Sequence, residues 1–191
     1  GATPIRMDEG NSVGLGGLHR VSDVMASSTW LVDSLLAGAQ TGLAGFNVHS
    51  WDGYGFPATG YYPRSGQISY YTPFVFRGGL VVPRPLIYGL ALLRSLGGQR
   101  FCESVTTGSA GTHVKAWALR NPTTGHLSVF LVNKGATGQQ MAVEIIPPAG
   151  YAGAAAVSHL TDVGGCSGTR PTIHGTRQPG SVGYTCQPTP T

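Results

Sequence analysis

Charge is scarce in this sequence. Asp, Glu, Lys and Arg make up 10% of its 191 residues, against about a quarter in an ordinary globular protein. The Lys and Arg form no basic run, so the net charge of +4 gives nucleic-acid binding little support. A mildly basic surface suits an acidic substrate without requiring one. No apolar run is long enough for a membrane-spanning helix. The three Cys show neither C-x-x-C spacing nor a paired His motif, which excludes the common zinc patterns. Walker A and G-x-G-x-x-G motifs are missing, and Gly14-Leu15-Gly16-Gly17 lacks the Lys of a phosphate loop. The six His stand in no spacing to a Ser or Cys that indicates nucleophilic catalysis. No cofactor and no metal is expected.

What the chain does have is Gly (30 residues), Pro (13 residues) and enough hydrophobic side chains (41%) to form a core. Such a composition reads as a turn-rich secreted or periplasmic protein. Cys166 and Cys186 lie in a Gly/Thr/Pro-rich tail where a disulfide can replace a thin core, which leaves Cys102 over.

The most informative stretch is Ile5-Arg6-Met7-Asp8-Glu9-Gly10-Asn11-Ser12-Val13, followed by Gly14 and Gly16-Gly17. It reads as a short strand that delivers two carboxylates into a glycine-rich loop. Barrel enzymes present catalytic groups this way, and so does any strand that ends in a polar turn. Ser22 then suits a helix cap with Asp23 in the first turn. Val24, Leu31, Leu35 and Ala39, flanked by Met25, Val32 and Leu36, mark an apolar helix face that ends at Gly42. Leu43 to Val48 reads as a short buried strand ending in His49-Ser50-Trp51-Asp52-Gly53. The order strand, helix, strand predicts a βαβ unit with parallel pairing. His49 is a site candidate by position, with a hydrogen-bonded structural His as the ordinary alternative.

Residues 53–72 form a long loop carrying Tyr54, Tyr61, Tyr62, Tyr70 and Tyr71. Loops of this length are commonly lids or rims, and tyrosines there can stack on a ligand or fill the loop's own packing. A second helix enters at Pro85 and leaves at Gly97-Gly98. Beyond residue 98 the period changes to alternation: His113 to Leu119, a turn at Asn121 to Gly125, Leu127 to Asn133, then Met141 to Ile146 and Ala155 to Leu160. This predicts an antiparallel β-sandwich over residues 99–191 after a βαβα piece over residues 1–98. Two βα units cannot close a barrel of about eight, so the first piece reads as the last part of a (β/α)8 barrel whose remainder lies elsewhere. The abrupt start at Gly1 fits that expectation.

Retaining glycosidase chemistry uses two carboxyl groups about 5–5.5 Å apart. Of the eight carboxylates only Asp8, Glu9 and Asp52 fall at strand ends. Asp8 and Glu9 are neighbours on an extended segment, so they point to opposite faces and cannot flank one bond. Asp52 follows the adjacent strand, where it either approaches Glu9 or serves as a turn residue in a Gly-flanked loop, so on this chain alone the pair is incomplete or unsettled.

Met7 to Val13, Gly16-Gly17, Val21-Ser22-Asp23 and Trp30 resemble glycoside hydrolase family 79, which holds microbial β-glucuronidases and heparanases. Phe46-Asn47-Val48-His49, Tyr61-Tyr62-Pro63 and Pro85 to Leu90 extend the resemblance over residues 5–98. It implies that Glu9 ends the seventh barrel strand and is the nucleophile of a retaining mechanism. It implies an acid/base Glu in an Asn-Glu pair on the fourth strand, and this chain has no Asn-Glu dipeptide. Gly16 and Gly17 match the loop beside the nucleophile, where a sugar can approach the backbone. Gly60, Tyr61 and Tyr62 match the loop that holds the glucuronate carboxylate. The implied partners are a glucuronate-containing glycan and an N-terminal chain or segment completing the barrel. The rival readings are a non-catalytic carbohydrate-binding module and a barrel glycosidase for a neutral hexoside.

Overall fold

A computed structural model describes residues 3–50, 69–77, 79–102, 114–134, 141–151, 155–161, 169, 172–178 and 182–184. The chain opens with strand β1, Arg6–Gly10. Helix α1 follows at Met25–Gln40 and strand β2 at Gly45–Val48. β1 and β2 pair in parallel, the geometry that a helical crossover permits and a tight hairpin does not.

Helix α1 starts later than Ser22 suggested. Its N-cap residue is Val24, which has no side-chain oxygen to offer. Ser22 is occupied elsewhere: its hydroxyl accepts from the Leu18 amide at 3.0 Å and from the Ser12 hydroxyl at 2.8 Å. Asp23 also precedes the helix, accepting from the Arg20 amide at 2.6 Å. The buried face consists of Met25, Ser27, Ser28, Leu31, Val32 and Leu36, while Leu35 is half-buried and Ala39 exposed. The expected buried strand over 43–48 is only half-buried. Its partner β1 is open to solvent, with Met7 45% exposed and Ile5 just before the strand 71% exposed. Among the described residues no third strand joins this pair.

Strands β3 (Phe74–Arg77) and β4 (Leu80–Pro83) form an antiparallel hairpin, turning where Gly79 adopts φ 77°. This hairpin was not expected from the sequence. Helix α2, Pro85–Leu93, then begins with Pro in its first turn and runs through a 3-10 turn at Arg94–Leu96 to Gly97 and Gly98. It buries Pro85, Leu86 and Gly89 against small residues of α1. The Ser28 hydroxyl donates to the Pro85 carbonyl, satisfying a buried polar group where the helices meet.

Beyond residue 98 every regular element among the described residues is a strand. β5 (Arg100–Cys102), β6 (Val114–Arg120) and β7 (Leu127–Asn133) form one antiparallel sheet in chain order. Asn121 shapes the β6–β7 turn, its side-chain oxygen accepting from the amides of Thr123 and Thr124 at 2.9 and 3.0 Å. β8 (Met141–Val143) pairs with β11 (Val182–Tyr184), and β9 (Ala155–Thr161) with β10 (Thr172–Gln178). Strand β8 stops three residues short of the expected Ile146, and β10 and β11 were not expected. Cys102 is half-buried and free, whereas Cys166 and Cys186 lie outside the described residues.

The main apolar cluster brings Val32 and Leu36 of α1 against Trp117 and Leu119 of β6 and Val132 of β7. Leu93, Leu96, Phe101 and Phe130 pack around it. The core therefore runs continuously across residue 98, from the helices into the sheet. One carboxylate reinforces the junction. Asp33 of α1 accepts from Lys134 at 3.0 Å and from Lys115 of β6 at 3.2 Å. Lys115 Nζ also lies 2.9 Å from the other Asp33 oxygen, outside hydrogen-bonding geometry. Among the described residues no helix is long and apolar enough to cross a membrane.

Candidate active site

β1 does not run evenly to its end. Arg6 faces Gly45 and Met7 faces Phe46, but the next matched pair is Gly10 with Val48. Three steps on β1 thus answer two on β2, which places a bulge at Asp8-Glu9. A bulge re-aims a side chain and raises local twist, and bulges concentrate beside functional sites. Gly10 closes the strand beneath the Phe46 ring; a Cβ there would sit 2.6 Å from Phe46 Cζ. The register shift falls at the residue singled out for chemistry.

Glu9 projects into solvent, 71% exposed, and the His49 Nε2 stands 3.8 Å from its Oε2. His49 follows β2 directly and its amide donates to the Gly10 carbonyl at 3.0 Å, extending the parallel pairing by one bond. The other imidazole nitrogen, Nδ1, lies 3.2 Å from the Tyr71 hydroxyl, with the two rings 5.5 Å apart. Tyr71 is only 3% exposed, so its hydroxyl is a fixed point. Asn11, two residues after Glu9, locks this arrangement. Its side-chain amide donates to the carbonyls of His49, at 2.6 Å, and of Tyr71, at 3.3 Å. Glu9, Asn11, His49 and Tyr71 thus converge from three segments at the ends of β1 and β2.

The loop between Glu9 and α1 is tightly built. Leu15 and Arg20 hold left-handed backbone at φ 56° and 63°, which costs a non-glycine residue about 1–3 kcal/mol and concentrates at functional loops. Gly16 is buried, and its carbonyl accepts from the Tyr70 amide at 2.7 Å. Gly17 has φ 85°, and a Cβ there would lie 2.8 Å from Ser22 Cβ and 3.1 Å from the Tyr71 amide nitrogen. At Gly17 the close approach is therefore made by the protein's own Ser22 and Tyr71. Asp23 ties the loop further, meeting His19 at 2.7 Å and Arg84 at 3.8 Å.

No family model and no curated protein matches the chain. The case for a function rests on this geometry and on the residues themselves.

Gly60, Tyr61, Tyr62, Asp52 and most of the tyrosine loop lie outside the described residues. Of that loop Tyr70 and Tyr71 are described, and both serve the site's framework. Sequence reasoning missed the roles of Asn11 and Tyr71. It also passed over a literal G-x-S-x-G at Gly10-Asn11-Ser12-Val13-Gly14. That pattern is not a nucleophile elbow here. Ser12 is absent from the residues with left-handed backbone, its hydroxyl donates to Ser22, and α1 begins only at Met25. Among the described residues no three His, Cys, Asp or Glu side chains converge as metal ligands. A small, half-open apolar hollow lies between α1, α2, β7 and β9, lined by Met25, Val32, Leu92 and Leu160 among others. It includes none of the site residues.

Proposed function

We propose that this chain carries the nucleophile half of a retaining glycosidase acting on β-glucuronic acid linkages, akin to the β-glucuronidases and heparanases of glycoside hydrolase family 79. One observation carries the reading: an exposed carboxylate, Glu9, sits on a bulge at the end of a parallel strand with His49 of the neighbouring strand end beside it. A strand-end carboxylate in a parallel βαβ unit is the placement that barrel enzymes use for chemistry.

In this mechanism a Glu9 oxygen attacks the anomeric carbon as the glycosidic C–O bond breaks. The departing oxygen takes a proton from an acid that this chain does not supply. The resulting glycosyl ester is then cleaved by water, with the same acid acting as base. β1 and β2 are read as the last two strands of a (β/α)8 barrel, and the strands beyond residue 98 as the sandwich that follows it. The exposure of Met7 on β1 and of Ile5 just before it supports a further segment or chain completing the barrel. The resemblance assigns the sugar carboxylate to Gly60, Tyr61 and Tyr62 and the backbone beside the nucleophile to Gly16 and Gly17. A glycan substrate agrees with a secreted or periplasmic protein.

The test is Glu9→Gln in the full-length protein. Wild type is expected to hydrolyse an aryl β-glucuronide in preference to the matching glucoside and galactoside. The variant should lose turnover while its far-UV circular dichroism is unchanged. Near-full activity in Glu9→Gln would sink the assignment, and preference for a neutral hexoside would move the substrate class.

A further inference from the structure

The pair Glu9–His49 does not stand alone, because a buried tyrosine fixes the imidazole from behind. We propose that His49 is a positioning residue for Glu9, oriented by the Tyr71 hydroxyl and by the Asn11 side chain. This inference deepens the proposed function and rests on Glu9 being the reacting group.

Tyr71 is held in the core at 3% exposure, and its hydroxyl reaches His49 Nδ1 at 3.2 Å. A neutral imidazole has one donor and one acceptor nitrogen, and the partner of one nitrogen decides which carries the proton. With the phenol donating to Nδ1, the proton sits on Nε2, the nitrogen 3.8 Å from Glu9 Oε2. That N–H points a dipole at the carboxylate from one side and leaves its other oxygen free. Asn11 clamps the His49 and Tyr71 carbonyls together, so the backbones that carry the two rings are held side by side and the imidazole turns only by giving up the Tyr71 hydroxyl. Glu9 itself is 71% exposed and, as a flexible side chain on a bulge, needs such a guide. A displacement of about 1 Å in a reacting group can cost roughly 100-fold in rate. His49 is 45% exposed, so substituting it leaves the core intact.

Three variants of the full-length protein test this. With an aryl β-glucuronide, His49→Phe should lower kcat about 10- to 100-fold, with KM changed by less than about two-fold. His49→Gln, which retains a donor and an acceptor, should recover most of that loss. Tyr71→Phe should lower kcat by less, and its effect should not multiply with that of His49→Phe. Ring 15N shifts of His49 give a readout that needs no substrate: wild type should show the Nε2–H tautomer, and Tyr71→Phe should shift the balance toward Nδ1–H. Wild-type kcat in His49→Phe, a loss confined to KM, or unchanged His49 ring shifts in Tyr71→Phe would overturn the proposal. Absence of glucuronide turnover in wild type would overturn the proposed function and with it the role of His49 toward Glu9, while the ring shifts would still decide the Tyr71–His49 contact.

Discussion

Two glycines in the two helices should answer the same substitution with opposite signs. Gly38 lies inside α1 and Gly89 inside α2, and in a helix interior Ala is favoured over Gly by about 0.8–1 kcal/mol. At Gly38 a new Cβ would come 3.1 Å from Leu43 Cδ2 and 3.7 Å from Leu43 Cβ. The nearest atom is the end of a flexible, half-buried side chain, which can move aside. At Gly89 the Cβ would meet backbone: the Ser28 carbonyl oxygen at 2.9 Å, Ser28 Cα at 3.3 Å and Ser28 C at 3.4 Å. Backbone cannot rotate away. The helices must separate, and that also stretches the buried hydrogen bond from Ser28 to the Pro85 carbonyl. Overpacking of this kind costs about 1–3 kcal/mol. Against a propensity gain of about 1 kcal/mol, Gly89→Ala should lose roughly 1 kcal/mol net, while Gly38→Ala gains roughly 0.5–1 kcal/mol. Denaturation of the two variants beside wild type measures the difference, about 2–4 °C in midpoint for each kcal/mol in a chain of this size. If Gly89→Ala proved as stable as Gly38→Ala, the tight crossing of α1 and α2 would be wrong.

Three further perturbations probe other parts of the molecule. Ser22→Ala would strand the Leu18 amide and the Ser12 hydroxyl and should cost about 1–3 kcal/mol, with proteolysis of the loop between β1 and α1 as a direct assay. Trp117→Ala would empty the centre of the cluster shared by α1, β6 and β7 and should cost about 3–5 kcal/mol by denaturant titration. The Asp33 hydrogen bond holds the Lys115 amine above its ordinary value of 10.5. A group raised on folding stabilises fully below its unfolded pKa and ceases to do so as pH climbs through the folded value. Wild type should therefore lose a small increment of stability above about pH 10.5 that Asp33→Asn already lacks at neutral pH. With the two lysine side chains 47% and 38% exposed, that increment should stay under about 1 kcal/mol. A larger effect, or an identical alkaline profile in both proteins, would refute the account.

Local chemistry was legible wherever a single segment decides its own conformation. The bounds of α2 follow from Pro85 at its entrance and Gly97-Gly98 at its exit. The β6–β7 hairpin follows from alternation around an Asn121 turn, and the crossover through α1 makes the β1–β2 pairing parallel. The stretch 74–83 was missed because its hairpin turns at Gly79 between runs flanked by Pro73 and Pro83. Ser22 misled because a good capping residue is equally good at holding a loop, and here two distant donors claimed it.

The candidate site divides along the same line. The sequence by itself determined that Glu9 ends a strand before a glycine loop and that no second strand-end carboxylate reliably accompanies it. Only the tertiary structure decided that a bulge falls at Glu9, that His49 stands beside it, and that Asn11 and Tyr71 hold His49 across separations of 38 and 22 residues. It also decided that the space beside Gly17 belongs to Ser22 and Tyr71. Periodicity reports on neighbours one turn or one pleat apart. Contacts between strand ends and loops join residues far apart in the chain, as Asn11 does with His49 and Tyr71, and only the packed elements bring such residues together.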